Sequence, residues 1–129
     1  MSSGEGDDYY GTLLGESIRP GTAIEGIPLT VTKVRRAAAG DATAGQPELW
    51  TFIEFRVAAD RVTELAEVLS AVLSKDGGWY CDIGSRDEVL VVFHGRVFRY
   101  PRGDQLERAR AEEYGRSVGV PGAQLDWPE

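Results

Sequence analysis

Residues 78–102, GWYCDIGSRDEVLVVFHGRVFRYPR, decide the fold. Val, Ile, Phe and Tyr dominate it, side chains that suit a pleated and half-buried surface, and the runs break at Gly84–Asp87 and at His94-Gly95. The stretch therefore reads as three antiparallel strands joined by two short turns. Directly opposed residues share a face. With Gly84–Asp87 as the first loop, Ile83 faces Glu88, Cys81 faces Leu90 and Trp79 faces Val92; with His94-Gly95 as a two-residue turn, Phe93 faces Arg96, Val91 faces Phe98 and Val89 faces Tyr100. One face then carries Tyr80, Asp82, Val89, Val91, Phe93, Phe98 and Tyr100, and the other Trp79, Cys81, Ile83, Leu90, Val92, Val97 and Arg99. The middle strand is apolar on both sides, which predicts cover on both faces.

The same register tests the obvious chemistry. Cys81 and His94 fall on one face about four residues apart along the ladder, roughly 13 Å at about 3.3 Å per residue, too far for a nucleophile and its base. Asp82 lies on the opposite face from His94 and is poorly placed to orient it. Cys81 reads as a small core hydrophobe and His94 as a turn residue. No catalytic residue is assigned, and the sequence points away from an enzyme more than towards one.

Working outward, Val62, Leu65, Ala66, Leu69, Val72 and Leu73 recur at helical spacing behind Asp60, a candidate cap, with Gly77-Gly78 as the stop. This helix has one apolar stripe, which it must lay on a sheet. Before it, Leu49–Val57 alternates as a strand, with Leu49, Ile53, Phe55 and Val57 on one side and Trp50, Phe52, Glu54 and Arg56 on the other. Core packing under a second helix is the expectation for that mixed face. Residues 37–48, AAAGDATAGQPE, read as a long exposed loop, Pro28–Arg36 as a half-buried strand and Thr12–Arg19 as a short strand closed by Pro20-Gly21. Met1–Asp8 is small, polar and acidic and is expected to be a flexible tail. On the C-terminal side, Asp104 is placed to cap a shorter helix over Gln105–Ser117 carrying Leu106, Ala109, Ala111, Tyr114 and Val118. Leu125 and Trp127 share one side of an extended tail that should dock. The fold class is α+β: an antiparallel sheet of five or six strands packed by one long amphipathic helix and a shorter C-terminal helix, with residues 9–129 as a single domain.

Composition fits that reading. A chain of 129 residues, 42% hydrophobic, can bury one core without staples. One cysteine, no basic-then-apolar leader and no long apolar run indicate neither secretion nor a membrane span, so the expected location is cytoplasmic. A formal charge of -7 disfavours nucleic acid and anionic membranes as partners. With one histidine and one cysteine the usual zinc sets cannot be assembled in one chain, and no phosphate loop, dinucleotide fingerprint or nucleophile elbow is present, so no metal or cofactor is expected.

Two signals remain as candidate binding residues. In GRVFRYPRG, Arg96, Arg99 and Arg102 alternate loosely with Phe98 and Tyr100, a combination that binds anions or stacks flat rings. The mixed face Trp50, Phe52, Glu54 and Arg56 is a candidate pocket lining or oligomer interface, second to its packing in a core. Trp50, Tyr80, Asp82 and Arg99 are candidates to line a pocket between the sheet, the 37–48 loop and the C-terminal tail, although they do not all share one face. The motifs WYCD, VVFHGRVFRYPRGD, EEYGRSVGVP and QLDW, covering roughly the C-terminal half, resemble a group of small bacterial proteins with a tyrosine-glycine helix and a QLD tail. That group has no established activity. The resemblance implies that hairpins, second helix and tail form one packed unit, and it transfers no catalytic residue. The leading expectation is a non-catalytic module, either a homodimer or higher homo-oligomer or a binder of a protein partner. The alternatives are a small-molecule binder or enzyme using the pocket just described, and an acidic inhibitor or immunity-type protein.

Overall fold

The computed structural model describes residues 8–40, 42 and 46–128. Six strands, β1 (Tyr9–Leu14), β2 (Thr30–Ala38), β3 (Leu49–Val57), β4 (Cys81–Gly84), β5 (Glu88–Phe93) and β6 (Arg96–Pro101), form one antiparallel sheet in the order β2-β3-β1-β4-β5-β6. Two helices pack on it, α1 (Val62–Val72) and α2 (Gln105–Ser117). The expected α+β class is what forms. The expectation of a flexible N-terminal tail falls on residues 1–7, outside the described ones, and on Asp8, which pairs with Arg56 at 3.3 Å.

The β5–β6 register is the one the sequence predicts, Phe93 opposite Arg96 through Val89 opposite Tyr100. The β4–β5 register is shifted by two residues, pairing Ile83 with Leu90 and Cys81 with Val92. The cause is local. Ser85 Oγ accepts from the amides of Asp87 and Glu88 at 3.1 and 3.2 Å, and this closes a tight Arg86-Asp87 turn without any glycine. A slip of two keeps every side chain on its predicted face, because the strand period is two.

Those faces build two cores. On one side α1 lays Val62, Leu65 and Leu69, with Leu73 just beyond its end, over Phe55, Val57, Cys81, Ile83, Leu90 and Val92. On the other, α2 and the C-terminal tail cover Val89, Val91, Phe93, Phe98 and Tyr100 with Ala111, Val120, Leu125 and Trp127. Asp104 caps α2 by accepting from the Glu107 amide at 3.1 Å. Contact between α2 and the sheet depends on Gly115, where a Cβ would stand 2.8 Å from Leu125 Cδ2 and 3.3 Å from Phe93 Cε1. Leu106 and Val118, expected on its apolar side, are instead 65% and 37% exposed.

Other boundaries differ from expectation for identifiable reasons. Asp60 does not cap α1; it lies in a 3-10 turn, Ala59–Arg61, leading into the helix. The helix ends at Val72 rather than near Gly77, because Leu73 turns extended and bridges Ile18. Beyond Leu14 the first strand gives way to a 3-10 turn, so on the β1 side Thr51 has no strand partner. Glu16 accepts from the Thr51 amide and from Thr51 Oγ1, both at 2.7 Å. These bonds, against an opposing contribution from burial, hold the Glu16 carboxyl below its ordinary range.

The central strand β1 carries Gly11 directly opposite Phe55. A Cβ there would lie 2.6 Å from Phe55 Cζ and 3.0 Å from the Asp82 carbonyl, and the Phe55 ring is itself buried in the first core. Gly11→Ala is expected to destabilise the protein by about 1–3 kcal/mol through overpacking, despite the better strand propensity of alanine, as read from the midpoint of urea unfolding.

Candidate functional site

Because the chain enters α2 directly from β6, that helix packs over the β5–β6 end of the sheet. The half-sheet of β2, β3, β1 and the start of β4 is therefore open on the same face. Strand pairing sets its side chains in rows: Lys33, Glu54, Thr12 and Asp82 in one, Arg35, Phe52 and Leu14 in the next, and Thr30, Arg56, Tyr10 and Gly84 in the third. The C-terminal tail forms one wall and the β2 side the other.

The resulting trough has two halves that share Thr12 and Asp82. The larger, about 650 Å³, has Tyr10, Glu54, Gly84, Arg86 and Arg102 among its lining residues. The smaller, about 370 Å³, lies between the sheet, Ala37–Gly40 and the tail, and is lined by Arg35, Trp50, Phe52, Trp79, Tyr80, Asp82 and Asp126. Its aromatic wall is fixed: Trp50 meets Trp79 edge-on at 5.5 Å and donates from Nε1 to the Pro47 carbonyl at 2.9 Å. Arg35 lies over the Phe52 ring at 4.0 Å. At the mouth, Gln46 Nε2 donates to the Gly77 carbonyl at 2.6 Å and to Gln124 Oε1 at 3.2 Å, and Gln124 Nε2 returns a bond to Gln46 Oε1 at 2.9 Å. Residues 41 and 43–45 of the long loop lie outside the described residues.

Asp82 sits where the halves join. Burial pushes its carboxyl up to about 6, and the Asp126 carboxylate adds to that, against the pull of its own backbone amide and of Arg102 and Arg108. Such a group changes charge near neutrality, donating a hydrogen bond when protonated and accepting when ionised. Two ladder spacings away, about 10 Å between backbones, Glu54 supplies a second carboxylate with the Thr12 hydroxyl between them. Tyr80 donates from its hydroxyl to the Gln124 carbonyl at 2.5 Å, and burial followed by the nearby Asp82 and Asp126 charges drives its ionisation far above the ordinary range.

Compared with protein-family models, curated proteins and solved structures, the chain matches none. The site is therefore defined by its own geometry.

Of the residues singled out from sequence, Trp50, Tyr80 and Asp82 come together in the smaller half of the trough. The arginine-aromatic group does not assemble. Phe98 and Tyr100 are buried in the second core, and Arg96 caps it by lying over Phe98 at 4.6 Å and Tyr114 at 5.5 Å. Arg99 projects from the opposite face, bonding Glu88 Oε2 at 2.7 Å and Thr63 Oγ1 at 2.8 Å; Tyr9 donates to the same carboxylate. Alternation along β6 separates these side chains as it must. Arg102 alone reaches the trough, its Nε donating to the Ser85 carbonyl at 2.6 Å. Cys81 is fully buried on the α1 side, and His94 Nδ1 donates to the Leu73 carbonyl at 3.0 Å, tying the second hairpin to the end of α1. Among the described residues no group of three or more His, Cys, Asp or Glu is arranged to hold a metal, and no helix is long and apolar enough to cross a membrane. Phe52 and Glu54, on the mixed face of β3, line the trough with Trp50, where packing under the second helix was the stronger expectation. Thr12 and Arg35 are site residues that reading single strands missed, since only the order β2-β3-β1-β4 makes them neighbours.

Proposed function

We propose that the trough binds a small molecule with a flat apolar part and a hydrogen-bond-donating or cationic group, and that the protein is a small-ligand binder. The supporting observation is Asp82: a mostly buried carboxyl at the junction of two concave halves, flanked by an aromatic wall. A carboxyl in a site that raises its pKa costs stability that an amide of the same shape would not, and such perturbed groups in clefts cluster at functional sites. The flat part of the ligand lies against Phe52 and Trp50, and its donor reaches Asp82. Titrating tyramine and benzamidine into the ¹⁵N-labelled protein tests this. Shifts are expected at the Trp50 indole and at the amides of Thr12 and residue 82, and all three are lost in Asp82→Asn. Shifts confined to other surfaces, or none at millimolar probe, would sink the reading.

A second reading, a partner-binding module, draws support from a different feature. Strand β2 is a sheet edge whose residues are exposed along its length apart from half-buried Ala37. Homo-oligomerisation is the less favoured form of that reading, for the reason of charge given next.

A further inference from the structure

Strand β2 runs nine residues, Thr30–Ala38, about 30 Å at 3.3 Å per residue, and among the described strands it is paired only with β3. Sheet edges are ordinarily blunted by proline, shortness, covering elements, bulges or charged side chains. Here a bulge at Thr32 and the cations of the strand act against pairing with a like edge, while from Lys33 to Ala38 the ladder is regular and free of proline. The strand contains Lys33, Arg35 and Arg36 and no acidic residue, in a chain whose formal charge is -7. Its two faces differ. Lys33 and Arg35 stand on the trough side, opposite Glu54 and Phe52, while Val31 and Val34, 55% and 59% exposed, stand on the other beside Arg36, with Leu49, 52% exposed, at the end of the same face.

This combination selects a partner. A second copy added antiparallel about Val34 would set Lys33 directly opposite Arg35 on both sides of the two-fold axis, and like charges so placed repel. An incoming strand that alternates carboxylates with aliphatic side chains meets the opposite situation: its acidic side chains face Lys33 and Arg35, and its aliphatic ones extend the Val31, Val34 and Leu49 surface. We infer that β2 docks an acidic, extended segment of another protein as a seventh strand of the sheet. This rests on the partner-binding reading and gives that partner its chemistry.

The test is fluorescence anisotropy with fluorescein-labelled (Glu-Val)4 and (Lys-Val)4 peptides, together with sedimentation velocity of the full chain alone. The acidic peptide is expected to bind with an affinity that falls at least tenfold between 50 and 300 mM NaCl, and the basic one not to bind. Lys33→Gln/Arg35→Gln should weaken the acidic peptide at least tenfold while leaving the melting temperature within about 3 °C, since both side chains are exposed and neither substitution sets like charges opposite Glu54. Equal binding of both peptides, or an unchanged affinity in the double variant, overturns the inference. A self-dimer that the double variant alters, without acidic-peptide binding, overturns the acidic partner but keeps β2 as a docking edge; neither binding nor dimer removes both.

Discussion

Asp82→Asn is expected to raise the stability of the protein at pH 7 and at the same time to abolish binding in the trough. The folded carboxyl titrates near 6, above its ordinary value of 3.8. Between those two pH values the unfolded chain has released the proton and the folded chain still holds it, so stability falls as pH rises from about 4 to about 6 and is flat above. At about 1.4 kcal/mol per pH unit this is a penalty of about 2–3 kcal/mol at neutrality, which the uncharged amide removes. Urea unfolding of both proteins at pH 4 and pH 7.5 measures it: the variant should be close to wild type at pH 4 and exceed it by about 2–3 kcal/mol at pH 7.5, a difference in which carboxyls of the opposite shift, Glu16 and Glu88, cancel. A variant less stable than wild type at pH 7.5 would mean that the carboxylate is needed by the fold and not kept for a ligand.

Trp127→Ala is expected to be the most damaging single truncation near the site, costing about 3–5 kcal/mol. Trp127 is 2% exposed in the second core. Its Nε1 donates to Tyr100 Oη at 2.8 Å, its ring meets Tyr80 edge-on at 5.3 Å, and Arg108 lies over it at 5.0 Å while donating to its carbonyl at 2.7 Å. Losing it frees the segment that walls the trough, so probe binding should weaken along with the unfolding midpoint. Trp127→Phe keeps the packing but deprives the Tyr100 hydroxyl of its donor, and about 1 kcal/mol is expected. A midpoint unchanged in Trp127→Ala would show that the tail lies outside the cooperative unit.

Local chemistry explains why some of this was legible from the residues. Val62, Leu65, Ala66, Leu69 and Val72 repeat at 3.6, and all are buried. Asp104 before Gln105 is a cap by composition, and it caps. Where side-chain bonds override those signals, reading fails: Ser85 closes a turn that lacks glycine, and Leu73 leaves the helical stripe to bridge Ile18. Phe98, Arg99 and Tyr100 are adjacent in sequence yet point to two faces, so an apparent binding run was divided between a core and an ion pair.

By itself, then, the sequence determined which residues share a face of β3, β4, β5 and β6, which helix has an apolar stripe, and that the middle strand of residues 78–102 is covered on both sides. In β2 the alternation that set Val31 with Lys33 against Val34 fails, because the bulge at Thr32 brings Val31 and Val34 to one face. Periodicity is a property of the backbone, and a two-residue slip cannot disturb it. Only the tertiary structure decided that β1 inserts between β3 and β4, setting Thr12 between Glu54 and Asp82, and that α2 packs over the β5–β6 end. Strand order depends on contacts between residues some seventy positions apart, which no local pattern encodes. That order turned Asp82 from the neighbour of a buried cysteine into the floor of a trough.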